Sequence, residues 1–230
     1  MTAIRRIPQR VIGKPRVVNR SEELVRRCVG RRVLHLGCAD FPFTDELDGQ
    51  LLHAQLARVA RELWGVDRSP EGVASLRTRG LTNILVGDVE KLDEVALSGE
   101  FDIIVAGELI EHLENPGRFL AAVRALMTPD TELLLTTPNA SALRGIVHAL
   151  CGREKVHHEH HYYFSYFTIS QLLARAGLQT EEVCFYQVVA AEGLPAAFDR
   201  ALSLGPVLWP ALADGLVVRA TRADKGNGHG

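Results

Sequence analysis

The sequence predicts an α/β protein built on a mostly parallel sheet with helices on both faces. Short apolar runs recur at residues 32–36, 63–66, 83–86, 101–106 and 132–137. Helical apolar spacing fills the gaps between them, at 51–63 (Leu52, Leu56, Val59, Ala60, Leu63), 72–79 and 116–127. The runs are apolar throughout rather than alternating, as expected of strands buried on both sides. The 230 residues, 47% of them hydrophobic, suffice for one such domain and its core.

Each element can be justified in turn. Residues 1–20 carry Arg5, Arg6, Arg10, Lys14, Arg16 and Arg20 and no acid, and read as a basic arm. Ser21 is the expected cap of a helix through Cys28, with Glu22 and Glu23 well placed near its N-terminus. The domain proper is read as residues 21–222. After Pro138 the pattern changes to a helix at 140–150, a His- and Tyr-rich segment, and a helix at 169–176 stopped by Gly177. Late strands are expected at 182–188 and 215–220. Residues 140–168 and 194–213 are read as lid and insert, and 223–230 as a disordered tail. The insert, with Phe198, Leu202, Leu204, Val207, Leu208 and Trp209, suits a second packed helix, a homodimer surface or a membrane-touching element.

Composition narrows the function. A net charge of −2 argues against broad nucleic-acid binding. There is no secretory h-region after Met1 and no apolar run of membrane-spanning length. Cys28, Cys38, Cys151 and Cys184 form no CxxC pair and read as reduced thiols of a cytoplasmic protein.

In a parallel sheet, ligands bind beyond the C-terminal strand ends. There the chain places Gly37-Cys38-Ala39-Asp40, then Asp67, Gly87-Asp88-Val89, Gly107-Glu108 and Thr137-Pro138-Asn139. Asp67 after a strand suits the two hydroxyls of a ribose, and Asp88 suits an adenine amino group. Together with the Gly turn they outline a nucleoside site.

The segments VLHLGCAD, GVDRSPEGV, GDVEKL, FDIIVAGELIEHLENPGRFL, LLLTTPN and FSYFTISQLLARAGL, in this order, resemble the class I S-adenosylmethionine-dependent methyltransferases over about residues 32–177. The resemblance implies a Rossmann-like three-layer α/β/α sandwich, with a seven-stranded, mostly parallel sheet and an antiparallel last strand. It implies S-adenosylmethionine as cofactor, Gly37 beside its methionine part, Asp67 on the ribose and Asp88-Val89 on the adenine. His35, Cys38, Ala39, Asp40, Arg68, Gly107 and Glu108 complete the expected cofactor set. The chain departs from the family at His35, where an acid is usual, and at Ala39 and Phe41, where glycines are usual. Asp40 is the candidate to replace the missing acid, and residues 41–49 read as an inserted loop.

On the acceptor side, a helix starting near Glu108 would put Glu108, Glu111 and His112 on one face. His112 is then either a general base on an acceptor hydroxyl or a structural residue bonded to the main chain. The run HHEHHYYF at 157–164 is read as a substrate lid with His160 or His161 facing the site, and no metal ligand is assigned. Tyr162, Tyr163, Phe164, Tyr166 and Phe167 would wall in a small organic molecule or a sugar. The expected reaction is O-methylation of a small-molecule or glycan acceptor. Two other readings stand beside it. Glu108, Glu111, His112 and a later His are similar to the metal-binding set of the small-RNA 3′-terminal 2′-O-methyltransferases. The lost glycines suit a non-catalytic partner subunit.

Overall fold

The computed structural model describes residues 15–40, 50–154, 156–188, 202 and 204–223. Residues 224–230 of the tail, the loop at 41–49 and residues 194–201 and 203 of the insert therefore lie outside the described residues, as do Arg5, Arg6, Arg10 and Lys14. The described part of the insert holds a short helix, Gly205–Leu208, with Val207 and Leu208 exposed. Among the described residues the chain runs β1 (Val17–Val18), α1 (Arg20–Cys28), β2 (Arg32–Leu36), α2 (Leu52–Ala57), β3 (Glu62–Asp67), α3 (Pro70–Thr78) and β4 (Ile84–Val86). It continues through β5 (Ile103–Gly107), α4 (Pro116–Leu126), β6 (Glu132–Pro138), α5 (Leu143–Leu150), α6 (Tyr166–Arg175), β7 (Leu178–Tyr186) and β8 (Gly215–Arg222).

The strands form one sheet in the order β1-β7-β8-β6-β5-β2-β3-β4. From β2 the chain steps outward to β3 and β4, returns to β5 on the other side of β2, and steps outward again. The order reverses between β2 and β5, and a crevice opens above their C-terminal ends. β8, the last strand, runs antiparallel to both β6 and β7.

Period-two side-chain direction splits the core into layers. Leu34, Leu36, Ile104, Ala106, Leu133 and Leu135 pack with Phe119, Leu120 and Val123 of α4 and Ile169 and Leu173 of α6. Val33, Ile103, Val105 and Leu134 point the other way, onto Leu24 and Cys28 of α1 and Leu56 of α2. This is the α/β/α sandwich expected from the sequence.

Five local expectations need correction. The sheet has an eighth strand, because Val17 and Val18 pair in parallel with Phe185 and Tyr186. Arg16 also joins the fold, through Glu182 at 2.8 Å and Glu23 at 3.3 Å, so at least residues 15–20 are no loose arm. The cap of α1 is Asn19, not Ser21: its side chain accepts from the Glu22 N–H at 3.2 Å, while Ser21 is already helical. No helix starts at Glu108. Glu108 takes a left-handed φ of 49° and its N–H donates to Thr136, so only a tight turn, Ile110–His112, follows β5. At the end of α2, Leu63 lies in β3 rather than in the helix.

Candidate functional site

The cofactor side is built from the ends of β2, β3 and β4. Gly37 ends β2 with φ of 69°, and its N–H donates to the Val66 carbonyl at 2.9 Å. A Cβ there would stand 2.9 Å from Leu109 Cδ1, so the Leu109 side chain from beyond β5 lies over this glycine. Asp67, 8% exposed, is clamped by main-chain donors. The Ala39 N–H donates to Oδ2 at 2.8 Å and the Ser69 N–H to Oδ1 at 2.9 Å. A carboxylate oxygen accepts more than one bond, so both can still take ribose hydroxyls. Asp40 carries the turn's left-handed residue with φ of 51°, a conformation Asp tolerates. Ala39 does not need one. The missing glycine at 39 is thus accommodated, Phe41 lies outside the described residues, and the residues of this turn fit a nucleoside cofactor.

Cys38 is buried against Gly65, where a Cβ would lie 2.7 Å from its sulfur, and burial raises the thiol's pKa. Arg68 is exposed beside the helix cap Ser69. Asp88 is exposed and accepts from the Glu90 N–H at 2.9 Å, while Val89 is buried in the main core. His35 points away from the turn into a buried pair with His53 of α2, the Nδ1 atoms 3.2 Å apart and the rings stacked. Burial lowers both imidazoles, His53 to about 4, so the pair is neutral, one ring donating to the other. Nothing in the sequence announced His53, one residue inside an ordinary amphipathic repeat.

The acceptor side is built from the ends of β5 and β6 and the 157–164 segment. Gly107 closes β5, and Glu108 Oε1 accepts from Thr136 Oγ1 at 2.8 Å, with Arg20 at 3.7 Å. Glu111 is wholly buried, and neither carboxylate oxygen has a hydrogen-bond partner. Thr137 Oγ1 is buried beside it without a well-formed hydrogen bond, yet near enough that its hydroxyl opposes the rise in the Glu111 pKa. Burial, and after it the Glu108 carboxylate, push the Glu111 carboxyl up to about 8. The lid is tied to this turn by its main chain: the His161 and Tyr162 N–H groups donate to the Glu111 carbonyl at 2.8 and 3.2 Å. The His161 side chain is exposed, whereas the His160 ring packs edge-on against His112, centroids 4.6 Å apart. Burial lowers His160 to about 4 and also lowers His112, whose nearby Glu159 pulls the other way. Phe164 is buried in the core, and Tyr163 lies 5.9 Å from His160, ring to ring. Glu108, Glu111, His112 and His160 thus meet at one end of the sheet, though not on one helix face.

A sheet of this order with acidic groups at adjacent strand ends has the layout of a nucleotide-type binding fold, in which ligands sit beyond the C-terminal strand ends. The methyltransferase-domain family pattern matches residues 7–183, most of the chain, and the protein belongs to that family, the class I methyltransferases that use S-adenosylmethionine. Among curated proteins, the ubiquinone biosynthesis O-methyltransferase of Xanthomonas axonopodis pv. citri (strain 306) is 29% identical over 164 residues. The match takes in 67% of this chain and 65% of that protein, so the chain spans a little under two thirds of the relative's length. A methyltransferase in complex with the Trm112 methyltransferase activator from Haloferax volcanii superposes with a TM-score of 0.61 at 16% identity, covering 90% of both chains. Magnesium protoporphyrin IX methyltransferase from Synechocystis with bound SAH gives 0.58 at 14% identity, over 88% of this chain and 81% of that one. These two likenesses establish the fold. No helix among the described residues is long and apolar enough to cross a membrane.

Proposed function

We propose that this chain methylates a hydroxyl oxygen of a small organic acceptor. The observation that carries the reading is the neutral imidazole of His112, packed by the lid at the end of β5 next to the buried, partnerless carboxyl of Glu111. The relatives' printed name, an O-methyltransferase of ubiquinone biosynthesis, supports an oxygen on a small molecule.

S-adenosylmethionine supplies an activated methyl group on a sulfonium. Gly37, Asp67 and the Asp88-Val89 pair would hold the cofactor, with Ala39, Asp40 and Arg68 around it. What the acceptor side must add is positioning and the removal of one proton. A hydroxyl at the strand ends lies within the reach of His112, which is uncharged at neutral pH and free to accept that proton. Tyr162 and Tyr163, both exposed on the lid, would flank an apolar acceptor.

The test is methyl transfer to a panel of phenols, catechols and matched amines by wild type and His112→Gln. The expected result is turnover of hydroxyl acceptors, with kcat about 10²–10⁴ lower in the variant and affinity for S-adenosylhomocysteine unchanged. Transfer to amines alone, or an unaltered kcat in His112→Gln, would overturn the reading.

A further inference from the structure

The lid does more than cover the strand ends. Among the described residues it brings His112, His157 and His160 together, with one ring nitrogen of each within 4.8 Å of the others. His157 and His160 sit on a tight turn closed by the His160 N–H donating to the His157 carbonyl at 3.0 Å. Their rings are 5.2 Å apart, and His112 lies 4.6 Å from His160 and 5.9 Å from His157. His112 reaches them because the main chain of 161 and 162 is bonded to the Glu111 carbonyl. The Tyr162 hydroxyl adds a bond to the Glu114 carbonyl at 3.1 Å. Main-chain bonds of the lid, with one bond of the His112 ring to the Glu159 main chain, draw the three imidazoles to one point.

Packing does not account for this. His160 Nδ1 is buried with no hydrogen-bond partner. The bond to His157 Nδ1, from the Glu159 N–H, is long at 3.4 Å. The His112 ring bonds the Glu159 main chain, but one nitrogen of each imidazole still converges on a partly buried point, His160 Nδ1 is left without a partner, and this arrangement calls for a ligand that accepts lone pairs. The metal set expected from the small-RNA enzymes is not what converges. Glu108 is engaged by Thr136, and the trio contains no carboxylate.

We infer that His112, His157 and His160 bind a divalent transition metal, zinc above all. Zinc accepts three histidines and keeps a fourth position for water or substrate, with Zn–N of about 2.0–2.1 Å, which places ligand nitrogens roughly 3.4 Å apart. Closing from the observed separation needs side-chain rotation by about an ångström, and His157, the most exposed of the three, is free to supply it. Borderline-soft imidazole donors without carboxylates select zinc, cobalt or nickel over magnesium and calcium. On the reading that the acceptor is a hydroxyl, the fourth position is where that oxygen would sit. A bound cation there lowers a hydroxyl's pKa. His112 would then act as a ligand, with the metal taking over activation of the acceptor.

The experiment uses the full-length chain without a histidine tag, stripped of metal and titrated with Zn²⁺, and separately with Co²⁺ read by its visible absorption. Wild type should bind one equivalent, with the intense bands of a four-coordinate cobalt site. His157→Gln and His160→Gln should each weaken Zn²⁺ binding at least tenfold, whereas His161→Gln, in the same run but outside the trio, should not. Absence of stoichiometric binding to wild type, or equal weakening by His161→Gln, overturns the site. Affinity for S-adenosylhomocysteine, measured on the same samples, should be unchanged in all three variants, and its loss would mark misfolding of the lid turn. His157→Leu then replaces His157→Gln, and retained Zn²⁺ affinity in a variant with normal cofactor affinity would overturn the site. Zinc binding with transfer to amines alone would leave the metal site standing and remove only the hydroxyl reading.

Discussion

The two halves of the strand-end crevice are built on opposite principles. At the end of β3 the carboxylate is satisfied: Asp67 accepts from the Ala39 and Ser69 main chain, and Ser69 in turn caps α3 through the Gly72 N–H at 3.0 Å, with His53 Nε2 beneath left unpartnered on this side. On the β5–β6 side Glu108 is bonded to Thr136, but Glu111, Thr137 and His160 present buried polar atoms without a well-formed hydrogen bond. A satisfied network is rigid and stable by itself, whereas each orphan costs stability until something binds it. On the proposed function, the first half would be a preformed cradle for the cofactor, and the second would hold its polar groups for the acceptor.

The contrast is sharpest at Asp67. Asp67→Ala strands two buried or half-buried N–H groups at once, each formerly bonded to a carboxylate, and about 3 kcal/mol or more of stability should disappear. Urea unfolding reads that loss, and calorimetric titration with S-adenosylhomocysteine should show binding weakened at least tenfold. If affinity survives, the cradle holds its ligand elsewhere. Gly65→Ala tests the packing beneath it. The new methyl would meet Cys38 Sγ at 2.7 Å and His53 Cε1 at 2.9 Å, both buried, and overpacking of this kind costs about 1–3 kcal/mol. A variant as stable as wild type would mean that the cradle floor yields.

The acceptor half should respond to pH. Glu111 keeps its proton up to about 8 in the fold, against an ordinary value of 4.5. Over that window the folded chain holds a proton that the unfolded chain has released, so stability should fall as pH rises from about 4.5 to 8. Glu111→Gln removes this term. Thermal melts at pH 5 and pH 8 should differ less in the variant than in wild type, and equal differences would show that Glu111 is not protonated in the fold. The smallest effect is expected at Thr137→Val. Exchanging a buried hydroxyl that makes no well-formed hydrogen bond for a methyl should leave unfolding free energy within about 1 kcal/mol of wild type. Clear destabilisation would reveal a partner for that hydroxyl and weaken the contrast between the halves.

Much of the cradle was legible because its signals are local. The β2 strand is apolar throughout and ends at a glycine, and β3 ends at an acid, so sheet, turn and ribose-binding candidate could be read from short windows. What defied local reading was how the turn survives without a glycine at 39. The answer lies in a hydrogen bond from Ala39 to Asp67, 28 residues away, and in an aspartate that tolerates a left-handed φ at position 40. The helix expected at Glu108 failed for a related reason. The spacing of Glu108, Glu111 and His112 fits a helix, but Glu108 is held by Thr136 of the neighbouring strand in a conformation no helix can continue.

By itself the sequence determined the layers, the strand ends and the kind of group each strand end presents, because side-chain period and turn chemistry act over a few residues. Only the tertiary structure decided which of those groups are satisfied and which are left waiting. That His35 turns to His53, that Glu111 is sealed without a partner, and that His112 meets His157 and His160 across 45 residues of chain all depend on how separate segments pack. Burial and long-range contact are properties of the folded chain, and no window of sequence contains them.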